Sequence, residues 1–124
     1  MNIYESGEDY LETILILSKQ NGNVKSIDIA QKMNFSKPSV SVAMKKLKEK
    51  GLIVVDEFGF ITLTSSGLEI ANKTYDRHSF ITDLLISLGV NEDTAKEDAC
   101  KIEHNLSDET FTAIKRYFNS FQNK

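Results

Sequence analysis

Cys100, Glu103 and His104 stand at positions i, i+3 and i+4. In a helix, that spacing puts all three on one face. A thiolate, a carboxylate and an imidazole side by side are a ligand set for a transition metal. Asp9 and Glu12, at i and i+3, offer two more carboxylates near the N-terminus. His78, one of two histidines, lies on a third segment. Each residue also has a plainer use. Asp9 can cap a helix. Glu12 can be an ordinary solvated residue, Cys100 a small buried hydrophobe and His78 a satisfied polar group at a core edge. Cys100 with His104 could form a nucleophile and base. No oxyanion-stabilising loop or substrate-binding signature accompanies them, so an enzyme has the least support. Spacing alone leaves open whether the three segments converge.

A second chemistry lies in the stretch from Lys37 to Lys50. It carries five lysines (37, 45, 46, 48 and 50) against one acid, Glu49, a local charge of +4. The whole chain of 124 residues has a net charge of −3, which by itself points away from nucleic acid. Splitting the charge reverses that inference. Residues 1–62 hold eight basic and eight acidic residues, whereas residues 63–124 hold seven basic and ten acidic, so the whole −3 lies in the second half.

The elements that must position these groups follow from periodicity and punctuation. Residues 7 to 20 predict a helix capped by Ser6, with Asp9 three positions on as in a capping box. Tyr10, Leu11, Ile14, Leu15 and Leu17 form its apolar stripe. Ser26 caps a short second helix ending at Asn34-Phe35. Ser36 caps a third, with Pro38 in its first turn and Gly51 after its end. Two strands, Leu52–Val55 and Phe60–Leu63, flank a hairpin loop, Asp56–Gly59. Thr64 or Ser65 caps a long fourth helix whose period is kept by Leu68, Ala71, Tyr75, Thr82 and Leu85, and Gly89 stops it. Asn91 caps a fifth helix with a stripe of Ala95, Ala99, Ile102 and Leu106. The Cys100/Glu103/His104 face is rotated away from that stripe. Ser107 caps a sixth helix, lined by Phe111, Ile114 and Phe118.

The predicted fold class is therefore mainly α: a winged helix-turn-helix of three helices and a β-hairpin wing (1–66), then a helical domain (67–124). The third helix should enter the major groove of duplex DNA. The residues placed at that interface are Ser36, Lys37, Pro38, Ser39, Ser41, Lys45 and Lys46. Short hydroxyls allow close approach, the helix N-terminus attracts phosphate, and the lysines contact the backbone. A solvated lysine-rich face is the bland alternative; the helix-turn-helix and wing around it favour DNA. The acidic wing tip, Asp56 and Glu57, leaves the helix to dominate affinity. No apolar run approaches the roughly 18 residues that span a membrane. The first six residues lack the pattern of a signal peptide, so the expected compartment is the cytoplasm. One cysteine excludes a disulfide framework.

Several segments together resemble the diphtheria toxin repressor family of metal-dependent transcriptional regulators, nearest to its short manganese-responsive branch without an SH3-like domain. They are Glu8-Asp9-Tyr10-Leu11-Glu12-Thr13-Ile14, Ser26-Ile27-Asp28-Ile29-Ala30, Lys37-Pro38-Ser39-Val40, Leu63-Thr64-Ser65-Ser66-Gly67, Arg77-His78, and Ala99-Cys100-Lys101-Ile102-Glu103-His104-Asn105-Leu106-Ser107. The resemblance implies a homodimer that binds operator DNA through its N-terminal domains, dimerises through its C-terminal helices and represses metal-uptake genes when loaded with Fe(II) or Mn(II). It implies metal ligands at Asp9, Glu12, His78, Cys100, Glu103 and His104. Asp9 and Glu12 match the manganese-responsive branch, and Cys100 matches the iron-responsive one. The ancillary site of the iron branch would fall on Thr82 and Lys96, which cannot replace its carboxylate and imidazole. The expectation is one strong site and a weaker second one, with Co(II), Ni(II) or Zn(II) binding more tightly in vitro by the Irving–Williams order. The competing expectation is a winged-helix regulator that senses an organic ligand or a partner protein.

Overall fold

The computed structural model describes residues 5–122. Their order is α1 (Glu5–Asn21), α2 (Ser26–Met33), α3 (Lys37–Glu49), β1 (Ile53–Val55), β2 (Ile61–Leu63), α4 (Ser65–Ser87), α5 (Glu92–Glu103) and α6 (Asp108–Gln122). The backbone divides into two compact units, with the division inside α4 between Lys73 and Thr74.

The first unit is a winged helix-turn-helix. α1 packs on α2, α3 and β2, and α3 packs on α2 and β1. Leu11, Ile14, Val24, Ile29, Val40 and Ile53 are its largest fully buried apolar side chains. These residues come from three helices, the connection between α1 and α2, and the hairpin, so each element buries its apolar side against the others. β1 and β2 pair antiparallel in the register Ile53–Leu63, Val54–Thr62, Val55–Ile61. Ile61 N–H donates to the Val24 carbonyl at 2.7 Å, which ties the wing to the chain before α2. In the wing turn, Asp56 Oδ1 accepts from the Phe58 and Phe60 amides, both at 2.9 Å. That acid at the wing tip is thus a turn-former.

The helix ends explain the boundaries. The Ser36 hydroxyl accepts from Ser39 N–H at 3.3 Å, as expected of a cap. At the other end of α3, Gly51 N–H donates to the Lys48 carbonyl and Leu52 N–H to the Leu47 carbonyl, both at 3.0 Å. This is a Schellman motif, and Gly51 holds the left-handed conformation (φ 75°) that it requires. Gly89 ends α4 with the same pair of bonds. Asn91 and Ser107 cap α5 and α6 through bonds to Asp93 N–H (3.0 Å) and Thr110 N–H (3.1 Å).

Other expectations are corrected. α1 already runs from Glu5, so Ser6 lies inside it and Asp9 is too deep to belong to a capping box. A single glycine costs a helix only about 1 kcal/mol, so Gly7 does not stop it. Ser26 is the first residue of α2 rather than its cap. The start is secured by the Asp28 carboxylate, which accepts from Lys25 N–H at 2.9 Å. Leu68 and Tyr75 are exposed. The buried face of α4 is instead Gly67, Ala71, Thr74, Arg77, Ile81 and Thr82. At the start of that face the backbone approaches closely. A Cβ on Gly67 would stand 2.0 Å from the Leu52 carbonyl oxygen.

The second unit is helical. The Phe80 ring takes Phe111 and Phe118 edge-on, each at 5.5 Å between centroids, which joins α4 to α6. Ile81, Ala95 and Ala99 are also buried in this unit. Among the described residues no helix is long and apolar enough to cross a membrane.

Candidate metal centre

In the second unit, α4 presents His78 and α5 presents Cys100 and Glu103. One donor atom from each of these three residues lies within 4.8 Å of the others. His78 Nδ1 is 3.1 Å from Glu103 Oε2 and 3.7 Å from Cys100 Sγ. His104 caps the C-terminal end of α5. Its Nε2 approaches Glu103 Oε1 to 3.2 Å, and the side chains of both residues are almost wholly buried. Among the described residues, Oε1 is a buried oxygen without a hydrogen-bond partner of its own.

The Cys100/Glu103/His104 face was expected to turn away from the apolar stripe of α5. Glu103 instead continues that stripe: Ala95, Ala99 and Glu103 are its buried residues, each four positions apart. Two alanines leave room beside α5, and the glutamate fills the third position. Cys100 is exposed, not a buried hydrophobe. Leu106 lies beyond the end of α5.

A buried carboxylate is costly unless positive charge compensates it. Burial pushes the Glu103 carboxyl up, but His104 and His78 outweigh burial and hold it below its ordinary value. The Cys100 sulfur and the Glu103 carboxylate, both hydrogen-bonded at Nδ1, push the His78 imidazole up to about 10 against the opposite effect of burial. Two donors on one first-row ion, each about 2.0–2.3 Å from it, sit roughly 3–4.5 Å apart. The spacing of the three donors is close to that, and sulfur, nitrogen and oxygen together suit a transition metal. The open lone pairs of the buried Oε1 give a cation a further point of attachment. These residues fit a divalent metal.

Asp9 and Glu12 lie in the first unit, one helical turn apart on α1; Asp9 is half-buried and Glu12 buried. Thr82 is buried with no hydrogen-bond partner for its hydroxyl among the described residues. Lys96 is exposed and pairs with Glu92 at 3.2 Å.

The lysine-rich face of α3 is also in the first unit. Ser36, Lys37, Pro38, Ser39, Ser41, Lys45 and Lys46 are all exposed, while Val40, Met44 and Leu47 are buried beneath them. Ser36 Oγ donates to Ser39 Oγ at 2.8 Å, so these two hydroxyls are engaged with each other at the helix start. An open cleft of about 290 Å³, lined by Ser26, Ile27, Lys37 and Ser41, separates the N-terminal ends of α2 and α3.

The geometry has close counterparts. Residues 2–58 match the N-terminal DNA-binding domain of the iron-dependent repressors. Residues 64–124 match the metal-binding and dimerisation domain of the same family. The chain belongs to the iron-dependent repressor family. An uncharacterised HTH-type transcriptional regulator of Methanocaldococcus jannaschii is 38% identical over 122 residues, covering 97% of this chain and 98% of the relative. The transcriptional regulator MntR of Escherichia coli is 32% identical over 110 residues, covering 89% and 71%. Among solved structures, the manganese regulator SloR superposes with a TM-score of 0.82 at 32% identity. The match covers 91% of this chain and 53% of SloR, so this family member spans about half the length of that structure.

Sequence reasoning missed one residue of this centre's surroundings as a contributor in its own right. Arg77 precedes His78 on α4 and hydrogen-bonds the Glu103 carbonyl at 3.0 Å. A basic residue next to the histidine was the available sign, but only the tertiary structure shows where it reaches.

Proposed function

We propose that this chain is a metal-dependent transcriptional repressor of metal-uptake genes that binds operator DNA as a homodimer in the cytoplasm. Its residues 1–66 form the reading head, and residues 67–124 form the metal-binding and dimerisation part. The observation that carries this is the convergence of the His78, Cys100 and Glu103 donors on a buried carboxylate. His104 belongs to the same set through its approach to Glu103.

Fe(II) or Mn(II) is the cation this donor set would take in the cell. Carboxylate and imidazole suit Mn(II), while the Cys100 sulfur favours Fe(II). When bound, a divalent cation supplies positive charge that holds donors from separate elements in one arrangement. Glu103 is already anionic for that task. His78 must give up its Nδ1 proton, and Cys100 must ionise to donate as thiolate. Asp9 and Glu12 complete the ligand set from α1. Because α1 packs on α2 and α3, fixing its carboxylates fixes the reading head. Without a cation nothing would draw these carboxylates to the donors of α4 and α5, and the competent arrangement would be less populated.

In the head, the exposed lysines of α3 bind backbone phosphate, and the hydroxyls at its start approach the bases. Two heads in a dimer match half-sites about one helical turn apart. Exposed Leu68, Tyr75, Leu88, Tyr117 and Phe121 supply apolar surface for pairing.

The decisive experiment is duplex binding across Mn(II), Fe(II), Co(II), Ni(II) and Zn(II), with oxygen excluded and a chelator control. Affinity should rise with metal, and by linkage DNA should tighten metal binding. Equal affinity with metal and with chelator would overturn the proposal.

A further inference from the structure

Arg77 is buried, and its guanidinium binds the chain around the metal centre without touching a metal donor atom. Nη1 donates to the Glu103 carbonyl at 3.0 Å and to the Leu106 carbonyl at 2.8 Å. Nη2 donates to the Asp108 carboxylate. The guanidinium lies over the Phe111 ring, 4.8 Å from its centroid. One side chain on α4 therefore grips the end of α5, the turn after it, and the start of α6.

The last carbonyls of a helix need partners outside its own ladder. In α5, Asn105 Nδ2 takes the Lys101 carbonyl at 2.6 Å and Asn105 N–H takes the Ile102 carbonyl at 3.0 Å. Arg77 takes the next, that of Glu103. A cation there also favours the negative end of the helix. Consecutive residues of α4 thus hold the two ends of one glutamate: Arg77 its backbone carbonyl, His78 its carboxylate. A ligand fixed at both ends keeps its donor atoms aimed. A ligand whose backbone frays with the helix end does not.

Resting on the metal-centre reading above, we infer that Arg77 is the positioning residue of this centre. Its pairing with Asp108 carries that positioning into the first turn of α6. Asp108 is an exposed partner, so its contribution is smaller than that of the buried carbonyl bonds.

The test uses the full chain with oxygen excluded. Mn(II) affinity is measured by calorimetry, and the Co(II) adduct by its visible spectrum, for wild type, Arg77→Met, Arg77→Lys and Asp108→Asn. Arg77→Met should lose affinity about 10- to 100-fold, as outer partners of metal ligands do, with a changed Co(II) spectrum. Arg77→Lys, which keeps the charge but not the fork, should recover part of the loss. Asp108→Asn should lose about two- to fivefold, as expected for an ion pair with one exposed member. A purely structural Arg77 would lower thermal stability and leave the affinity and spectrum of the folded protein unchanged. Wild-type affinity and spectrum in folded Arg77→Lys and Asp108→Asn would overturn the inference, even if Arg77→Met failed to fold. A wild-type chain that bound neither metal would overturn the metal centre itself, a result distinguishable from the failure of Arg77 alone.

Discussion

Glu103 is the residue on which the centre turns. It contacts both histidines and is the one candidate ligand of the second unit with no exposed side-chain surface. Glu103→Gln keeps the shape and removes the charge. It should weaken Mn(II) binding by more than the roughly 10–100-fold of an outer-partner change, measured by calorimetry. His78 supplies a pH dependence of opposite sign for stability and for binding. Its imidazole is raised from 6.5 to about 10 in the metal-free fold. Between those values the folded state holds a proton that the unfolded state has lost, so its contribution to stability is full below 6.5 and fades towards 10. With chelator present, the melting temperature should fall from about pH 6.5 to about pH 9, less steeply in His78→Gln. Mn(II) displaces the same proton, so its affinity should rise over that range. Much of this was legible from residue types: Cys100, Glu103 and His78 are metal-binding chemistries wherever they meet. Their meeting was not legible, since residues 78 and 103 are brought together by helix packing that no local spacing encodes.

At the scale of elements, caps and breakers carried most of the information. Ser36, Gly51, Gly89, Asn91 and Ser107 act locally, through bonds to amides or carbonyls a few residues away. That is why they could be read from order alone. Gly67 differs, because its role is the close approach of α4 to Leu52. Gly67→Ala should destabilise the first unit by about 1–3 kcal/mol through overpacking, read as a lower urea midpoint with an unchanged slope. The starts of α1 and α2 do not fall after the nearby serines: Ser6 and Ser26 both lie inside their helices. A serine is a good cap only where the helix has no better reason to begin earlier. In α2 the Asp28 carboxylate, bonded to Lys25 N–H, makes Lys25 the cap and Ser26 the first helical residue.

At the scale of the molecule, charge is partitioned rather than merely negative. The exposed lysines of α3 occupy a half that sums to zero, and the excess acid lies in the half that holds the metal centre. Removing one lysine that neutralises a phosphate should reduce the slope of log affinity against log salt by about 1. Lys45→Ala together with Lys46→Ala should therefore lower it by about 2 on any duplex sequence, measured by anisotropy titration in metal-loaded protein. The amino-acid order determined the element sequence, the buried faces of α1 and α3, the basic face of α3 and the candidate ligand types. Those properties depend on spacing within about one helical turn and on local hydrogen bonds. Tertiary structure decided that Glu103 points inward beside two alanines, that Cys100 is exposed, and that Arg77 holds the end of α5. Each of those depends on where a second helix lies, which is set by the packing of whole faces and not by any residue's neighbours in the chain.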